Sequence, residues 1–182
     1  MLVFPPSNCH HPTGLFKLTL ESNRATILTM ATNDKALSGI LSGVSGEYFV
    51  AAELSRRGYI ASITLRNSKG VDILCSNDDA SKSVAIQVKT AKGNGTKWVL
   101  GFKAEEYYAD NLFYVFVSLN WNKTAPTYHI VPSKIVAVQI KDYYKVWLAT
   151  PGLKGQKHNE NPMRTFKDDA KCYRDRWDLL GL

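Results

Sequence analysis

The chain has 182 residues, 45% of them hydrophobic and 21% charged, ordinary values for a globular domain with one sizeable core. No apolar run approaches the roughly 20 residues that span a bilayer, and the opening MLVFPPSNCHHPTGLFKLTL lacks the basic head and unbroken apolar core of a secretory signal. Its three cysteines, Cys9, Cys75 and Cys172, are widely separated and odd in number, which argues against a disulfide framework or zinc knuckle and fits a reducing cytoplasm.

Lys and Arg total 23 against 16 Asp and Glu, a net charge of +7. Such an excess favours polyanionic partners, because neutralising phosphates releases counterions. By itself it does not single out nucleic acid.

Residues 1–30 contain Pro5-Pro6 and His10-His11-Pro12 and show no sustained periodicity. They are expected to form a poorly ordered extension, with Met30 able to serve as the start of a shorter natural chain. Ala31-Thr32-Asn33-Asp34 offers a helix N-cap, and residues 31–182 are expected to form a single domain. From Lys35 to Arg57 apolar residues recur at three- and four-residue steps (Leu37, Ile40, Leu41, Val44, Val50, Ala51, Leu54), and Gly58 supplies a stop. Gly43 and Gly46 inside this helix each cost about 1 kcal/mol relative to alanine. They imply either close backbone packing or a break between two shorter helices.

Strands are predicted over 59–65, 71–75 and 83–89, the last two joined by the polar turn Ser76-Asn77-Asp78-Asp79-Ala80. After a Gly-rich basic loop, Trp98-Val99-Leu100 reads as a strand and 104–109 as a short helical patch. Leu112 to Leu119 is continuously apolar, the pattern of a strand buried on both faces. Another strand is expected over 128–131 and a helix from Pro132-Ser133 through Val138. The remainder, from about 142, mixes aromatic and charged residues without a clear period. The order predicts one α/β domain with a mixed central β-sheet flanked by helices.

Several polar residues interrupt this pattern. Glu47 shares a helix face with Val50, Ala51 and Leu54, unlike Glu53, which falls beside Arg56 and Arg57 as an exposed ion pair would. A carboxylate on an apolar face needs a partner, unless Glu47 only borders the buried stripe. Asp72 interrupts Val71-Asp72-Ile73-Leu74-Cys75, where strand propensity and desolvation both disfavour it; it could also close a turn at Gly70. Gln87 and Lys89 project from one face of the third strand, opposite Val84, Ile86 and Val88. A wet strand face explains that pair equally well. Their order along the chain would let all four meet at one end of the sheet. Asp72 and a neighbouring oxygen could hold Mg²⁺ there, and Lys89 could orient or deprotonate a water or stabilise charge developing on a phosphorane.

The stretch GVSGEYFVAAELSRRGYIA, then KGVDIL, then VAIQVKT, covering roughly residues 43–90, resembles the PD-(D/E)XK nuclease superfamily of restriction-endonuclease-like fold, and within it the Mrr-like and Holliday-junction-resolvase-like branches. The resemblance implies an α-β-β-β-α-β core and a metal-dependent DNA endonuclease using Mg²⁺, with Mn²⁺ able to substitute. It implies Glu47 as the helix carboxylate, Asp72 as the metal aspartate, Gln87 as the variable third ligand and Lys89 as the catalytic lysine. The carbonyl of Val88 would be a further ligand. Most members carry an acid where this chain has Gln87, so the site holds one negative charge fewer. An inactive module on the same fold, binding DNA or a protein, is the alternative. The expected partner is DNA, double-stranded or branched, and a homodimer is an open arrangement.

Lys92, Asn94 and Lys97, just beyond Lys89, are candidate contacts to the DNA backbone. Arg56, Arg57, Arg66 and Lys69 could extend a basic surface. The four histidines have no metal-ligand spacing, and His129, in an aromatic strand, reads as structural. Trp121, Trp147 and Trp177 read as core or interface anchors. No GxSxG, Walker loop or GxGxxG occurs.

Overall fold

A computed structural model describes residues 37–65 and 70–182, all within one compact unit that begins at Lys35. The 1–30 extension, the 31–34 cap, Arg66 and Lys69 lie outside the described residues.

Helix α1 (Gly39–Arg56) is launched by Ser38, whose Oγ accepts the Leu41 N–H at 3.1 Å. It ends where Gly58 takes φ +88° and Tyr59 N–H returns to the Leu54 carbonyl at 3.1 Å. The buried stripe is Ser42, Gly46, Val50 and Leu54. This corrects the expected stripe: Ile40 and Leu41 are 68% and 57% exposed, and small residues hold the inward positions of the first turns. The reason is proximity. A Cβ on Gly46 would stand 1.9 Å from Thr90 Oγ1, so α1 lies almost against the strand carrying Thr90, and the helix passes both glycines unbroken.

Strands β1 (Ile60–Ile63), β2 (Ile73–Ser76) and β3 (Ser83–Ala91) form an antiparallel meander, with Ile60 opposite Ser76 and Ile73 opposite Ile86. Strand β4 (Lys97–Gly101) and a 3-10 turn (Phe102–Glu105) cross over to β5 (Leu112–Ser118), which runs parallel to β3. Strand β6 (Thr127–Pro132) returns antiparallel to β5, giving the order β1-β2-β3-β5-β6. Helix α2 (Ser133–Ala149) follows, well past the expected end at Val138, and β7 (Met163–Lys167) pairs antiparallel with β4 as a separate two-stranded sheet. The crossover therefore holds a strand and a 3-10 turn where the resemblance implied a helix. A final 3-10 turn, Trp177–Leu180, closes the chain.

Every residue of β5 is buried, as its continuous apolar run requires. Its alternate side chains enter two cores. Phe113, Val115 and Val117 pack with Val50, Leu54 and Ile86 beneath α1. Tyr114 and Phe116 pack with Trp98, Phe166 and Val136 on the α2 side, where the Phe116 and Phe166 rings stack at 4.3 Å. Among the described residues no helix is long and apolar enough to cross a membrane.

Candidate active site

The β2–β3 ladder stops at the pair Ile73–Ile86. Asp72 therefore sits one residue outside β2, not inside a central strand as its flanking residues suggest. Gly70, at φ +69°, turns the chain into this position. The backbone around Asp72 is tied on both sides: its N–H donates to the Ile86 carbonyl and its carbonyl accepts from Thr64 N–H, each at 2.9 Å. Its side chain turns toward β3, where Oδ2 accepts the Val88 N–H at 2.7 Å. Asp72 thus takes the place of the missing β2 partner at the point where the two strands part.

That placement fixes the direction of a second oxygen. Along β3 the backbone alternates, so Ala85 N–H donates toward β5, to the Asn111 carbonyl, while the Ile86 carbonyl accepts from the β2 side. Two residues on, Val88 repeats the Ile86 direction, and its carbonyl faces the same side as its N–H, toward Asp72.

Gln87 and Lys89 are half-buried on the other rhythm of β3, directly across from Tyr114 and Phe116. Both line a cleft of about 660 Å³ with Tyr107, Tyr114, Phe102 and Lys103. They do not form a wet strand face. Burial pushes the Lys89 ammonium below the ordinary lysine value, while the charges of Asp72 and Glu47 act in the opposite direction. Lys89 is thus within electrostatic reach of both acids, although Glu47 arises from the opposite side of the sheet. Glu47 itself is half-buried and borders the α1 stripe. Glu53, by contrast, pairs with Arg56 at 2.9 Å and with Arg57, and these contacts, Arg57 first, hold its carboxyl below the usual range.

Sequence reasoning missed Tyr114. Its hydroxyl is fully buried without a hydrogen-bond partner, and burial, with Tyr107 and Asp72 adding to it, pushes its pKa up to about 12. Nothing within the apolar run of β5 marks it; only the Gln87–Tyr114 register brings it to the cleft. Lys92, Asn94 and Lys97 are not among the residues lining this cleft. Asn94 lines a different one, and Lys97 is exposed at the start of β4.

Among the described residues no three His, Cys, Asp or Glu side chains come together as a metal cluster. Here the candidate donors are two carboxylates, one amide oxygen and one carbonyl. All are oxygens, the donor type Mg²⁺ prefers. They fit a hard cation, with less charge than three carboxylates would bring.

An α-helix thus lies over an antiparallel meander with a further sheet strand parallel to its third strand, and Asp72 accepts the Val88 N–H between Gln87 and Lys89, just past the last β2–β3 pair. The fold is a mixed α/β one, a five-stranded sheet with two helices and a separate two-stranded sheet. Among solved structures, the chain is similar to a bacterial homing endonuclease, I-Ssp6803I, at 14% identity and a TM-score of 0.48, covering 79% of this chain and 92% of that one. It is also similar to Archaeoglobus fulgidus Hjc, a Holliday junction resolvase from an archaeal hyperthermophile, at 14% identity and a TM-score of 0.47, covering 76% and 95%. No protein-family model matches the chain, and no curated protein matches it.

Proposed function

We propose that this restriction-endonuclease-like chain is a divalent-metal-dependent nuclease that hydrolyses phosphodiester bonds of DNA. The observation that carries the reading is the Asp72 carboxylate anchored on Val88 N–H, with the half-buried Lys89 in a cleft where burial opposes its charge and Asp72 and Glu47 favour it.

Asp72, Gln87 through its amide oxygen, and the Val88 carbonyl would hold Mg²⁺, or Mn²⁺ in its place, and Glu47 would bind a second ion or position water. When bound, the ion supplies Lewis-acid stabilisation of charge on the phosphoryl oxygens. The protein's own contribution centres on Lys89. Burial lowers its pKa, and Lys89 would accept a proton from the attacking water. The water oxygen forms the new bond to phosphorus as one P–O ester bond breaks, and the electron pair leaves on the sugar oxygen, which takes a proton from solvent in the open cleft. The ammonium so formed on Lys89 then faces the phosphate charge. The Val88 N–H fixes the Asp72 carboxylate before substrate arrives, so no reorganisation is needed there.

Asp72→Asn and Lys89→Ala should each lower Mg²⁺-dependent cleavage of plasmid and branched DNA by about 100-fold or more, the usual loss of one such group, with melting temperature confirming that each variant folds. Cleavage at the parent rate in both variants overturns the assignment. One specific observation favours a second reading, a binding module without catalysis: the neutral Gln87. It is distinguished by salt-sensitive DNA binding with no cleavage in Mg²⁺ or Mn²⁺.

A further inference from the structure

A second cleft of about 450 Å³ lies at the other end of β4, lined by Asn94, Thr96, Trp121, Lys123, Lys171 and Arg174 among others, with no carboxylate in its lining. Trp121, expected as a core or interface anchor, is 62% exposed and so lies outside the core. It also holds φ +56°, between Asn120 at +51° and Asn122 at +58°. Left-handed backbone costs roughly 1–2 kcal/mol per residue. Asparagine tolerates it, whereas a bulky aromatic there is a genuine outlier. The chain enforces it with backbone bonds: Asn120 N–H to the Gly93 carbonyl at 3.1 Å, Trp121 N–H to the Lys92 carbonyl at 2.8 Å, and Asn122 N–H to the Leu119 carbonyl at 2.9 Å. Gly93 makes room for the indole, since a Cβ there would stand 3.1 Å from ring atom Cζ2. Strain is thus spent holding an indole out of the core.

The surrounding charges point the same way. Lys123 and Lys171 form no ion pair among the described residues, and Arg174 has only the Asp175 contact at 3.6 Å. The nearby acids are engaged: Asp168 with His129, Cys172 N–H and Tyr173 N–H, and Asp169 with the Thr96 hydroxyl. An exposed aromatic ring ringed by cations and side-chain amides suits a ligand with π-faces and a repeating negative charge. The two clefts are close along the chain: β3 carries Lys89 and ends at Ala91, and the carbonyl of the next residue, Lys92, accepts the Trp121 N–H at 2.8 Å.

We infer that this cleft binds an unpaired strand of nucleic acid adjoining the cleavage site, with Trp121 stacking on a base and Lys123, Lys171 and Arg174 contacting phosphates. This rests on the nuclease reading and narrows it to substrates with unpaired nucleotides near the scissile bond.

The test uses the full chain and fluorescence anisotropy with three probes: a labelled oligothymidylate of about 12 nucleotides, within the span such sites cover, a labelled duplex of the same length, and labelled polyglutamate. Trp121→Gly suits the left-handed backbone, so it should fold with an equal or higher melting temperature. It should weaken oligothymidylate binding about tenfold, within the range of one base–aromatic stack, and leave duplex binding within about twofold. Trp121→Phe should restore most of the loss. Lys171→Ala combined with Arg174→Ala should lower the salt slope of oligothymidylate binding by about 1.4, or 0.7 per phosphate contact. Unchanged oligothymidylate affinity in Trp121→Gly, or equal losses on all three probes, overturns the inference; a loss confined to polyglutamate assigns the cleft to an acidic protein and overturns it too. Lys89→Ala separates the two ideas: it should abolish cleavage and leave oligothymidylate affinity intact. Full cleavage by that variant sinks the catalytic role of Lys89, and no cleavage by the parent chain sinks the nuclease reading, while the strand-binding result stands or falls on Trp121.

Discussion

Lys89 and His129 occupy the same row of the sheet, one strand apart on either side of Phe116, and their surroundings differ sharply. His129 is 2% exposed and its Nδ1 lies 2.6 Å from Asp168 Oδ2. Asp168 is itself 5% exposed and also accepts the Cys172 N–H at 2.8 Å and the Tyr173 N–H at 3.0 Å. The Trp98 ring lies against His129 at 4.9 Å. The Asp168 carboxylate there is held by three partners, as structural burial demands. Lys89, in the row's other half, makes no hydrogen bond or ion pair among the described residues, and the buried Tyr114 hydroxyl beside it has no partner. A pair that holds strands together is saturated; a site built to receive a ligand keeps unused bonding capacity. The first stabilises the fold, and the second costs stability.

Asp168→Ala should therefore have the largest effect on folding. Three groups lose their acceptor, and denaturation in urea should show a loss of about 3 kcal/mol. A loss under half of that would mean the saturated pair is not the stronger structural element, and the contrast with Lys89 would collapse. Gln87→Glu sharpens the other side. Restoring the missing charge should tighten Mg²⁺ binding on the order of tenfold, because ligand charge sets affinity for hard cations, and the gain can be read as a larger Mg²⁺-dependent rise in melting temperature. The added carboxylate should also favour the Lys89 ammonium, moving the rise of the pH–rate profile to higher pH.

The smallest effect tests the cost directly. Lys89→Met should remove activity yet stabilise the fold by about 1 kcal/mol at neutral pH, the usual sign of a function–stability trade-off. The sign follows from linkage. The folded-state pKa of Lys89 is lowered, so between that value and the unfolded one the unfolded chain binds more protons, and the parent gains stability as pH rises. The advantage of the Met variant should accordingly shrink as pH approaches the ordinary lysine range, followed by melting curves across pH. An advantage that grows with pH would show that Lys89 is stabilised as an ion in the fold.

Much of this was legible in the amino-acid order. Periodicity located α1, the β1–β3 meander, the doubly buried β5 and the start of α2, because each is governed by contacts a few residues apart. The site was legible only as a pattern: Asp72, Gln87 and Lys89 stood out as polar residues in apolar strands. Helix α2 runs past Val138 into Asp142-Tyr143-Tyr144, where its far end is supported by partners distant in sequence. Arg164 lies over the Tyr144 ring at 3.4 Å, and His158 stacks on Trp147 at 4.0 Å. The β4–β7 pairing, Lys97 with Lys167, spans too much chain for any local signal.

What the sequence determined by itself is therefore the set of elements and the residue types that break their patterns, since propensity and burial periodicity act locally. What only the tertiary structure decided is which broken positions face each other. The end of the β2–β3 ladder turned Asp72 onto Val88, the β3–β5 register set Tyr114 across from Gln87, and the left-handed turn at Asn120–Asn122 put Trp121 outside the core. Those outcomes depend on strand registers and backbone approach between distant segments, and no local preference encodes them.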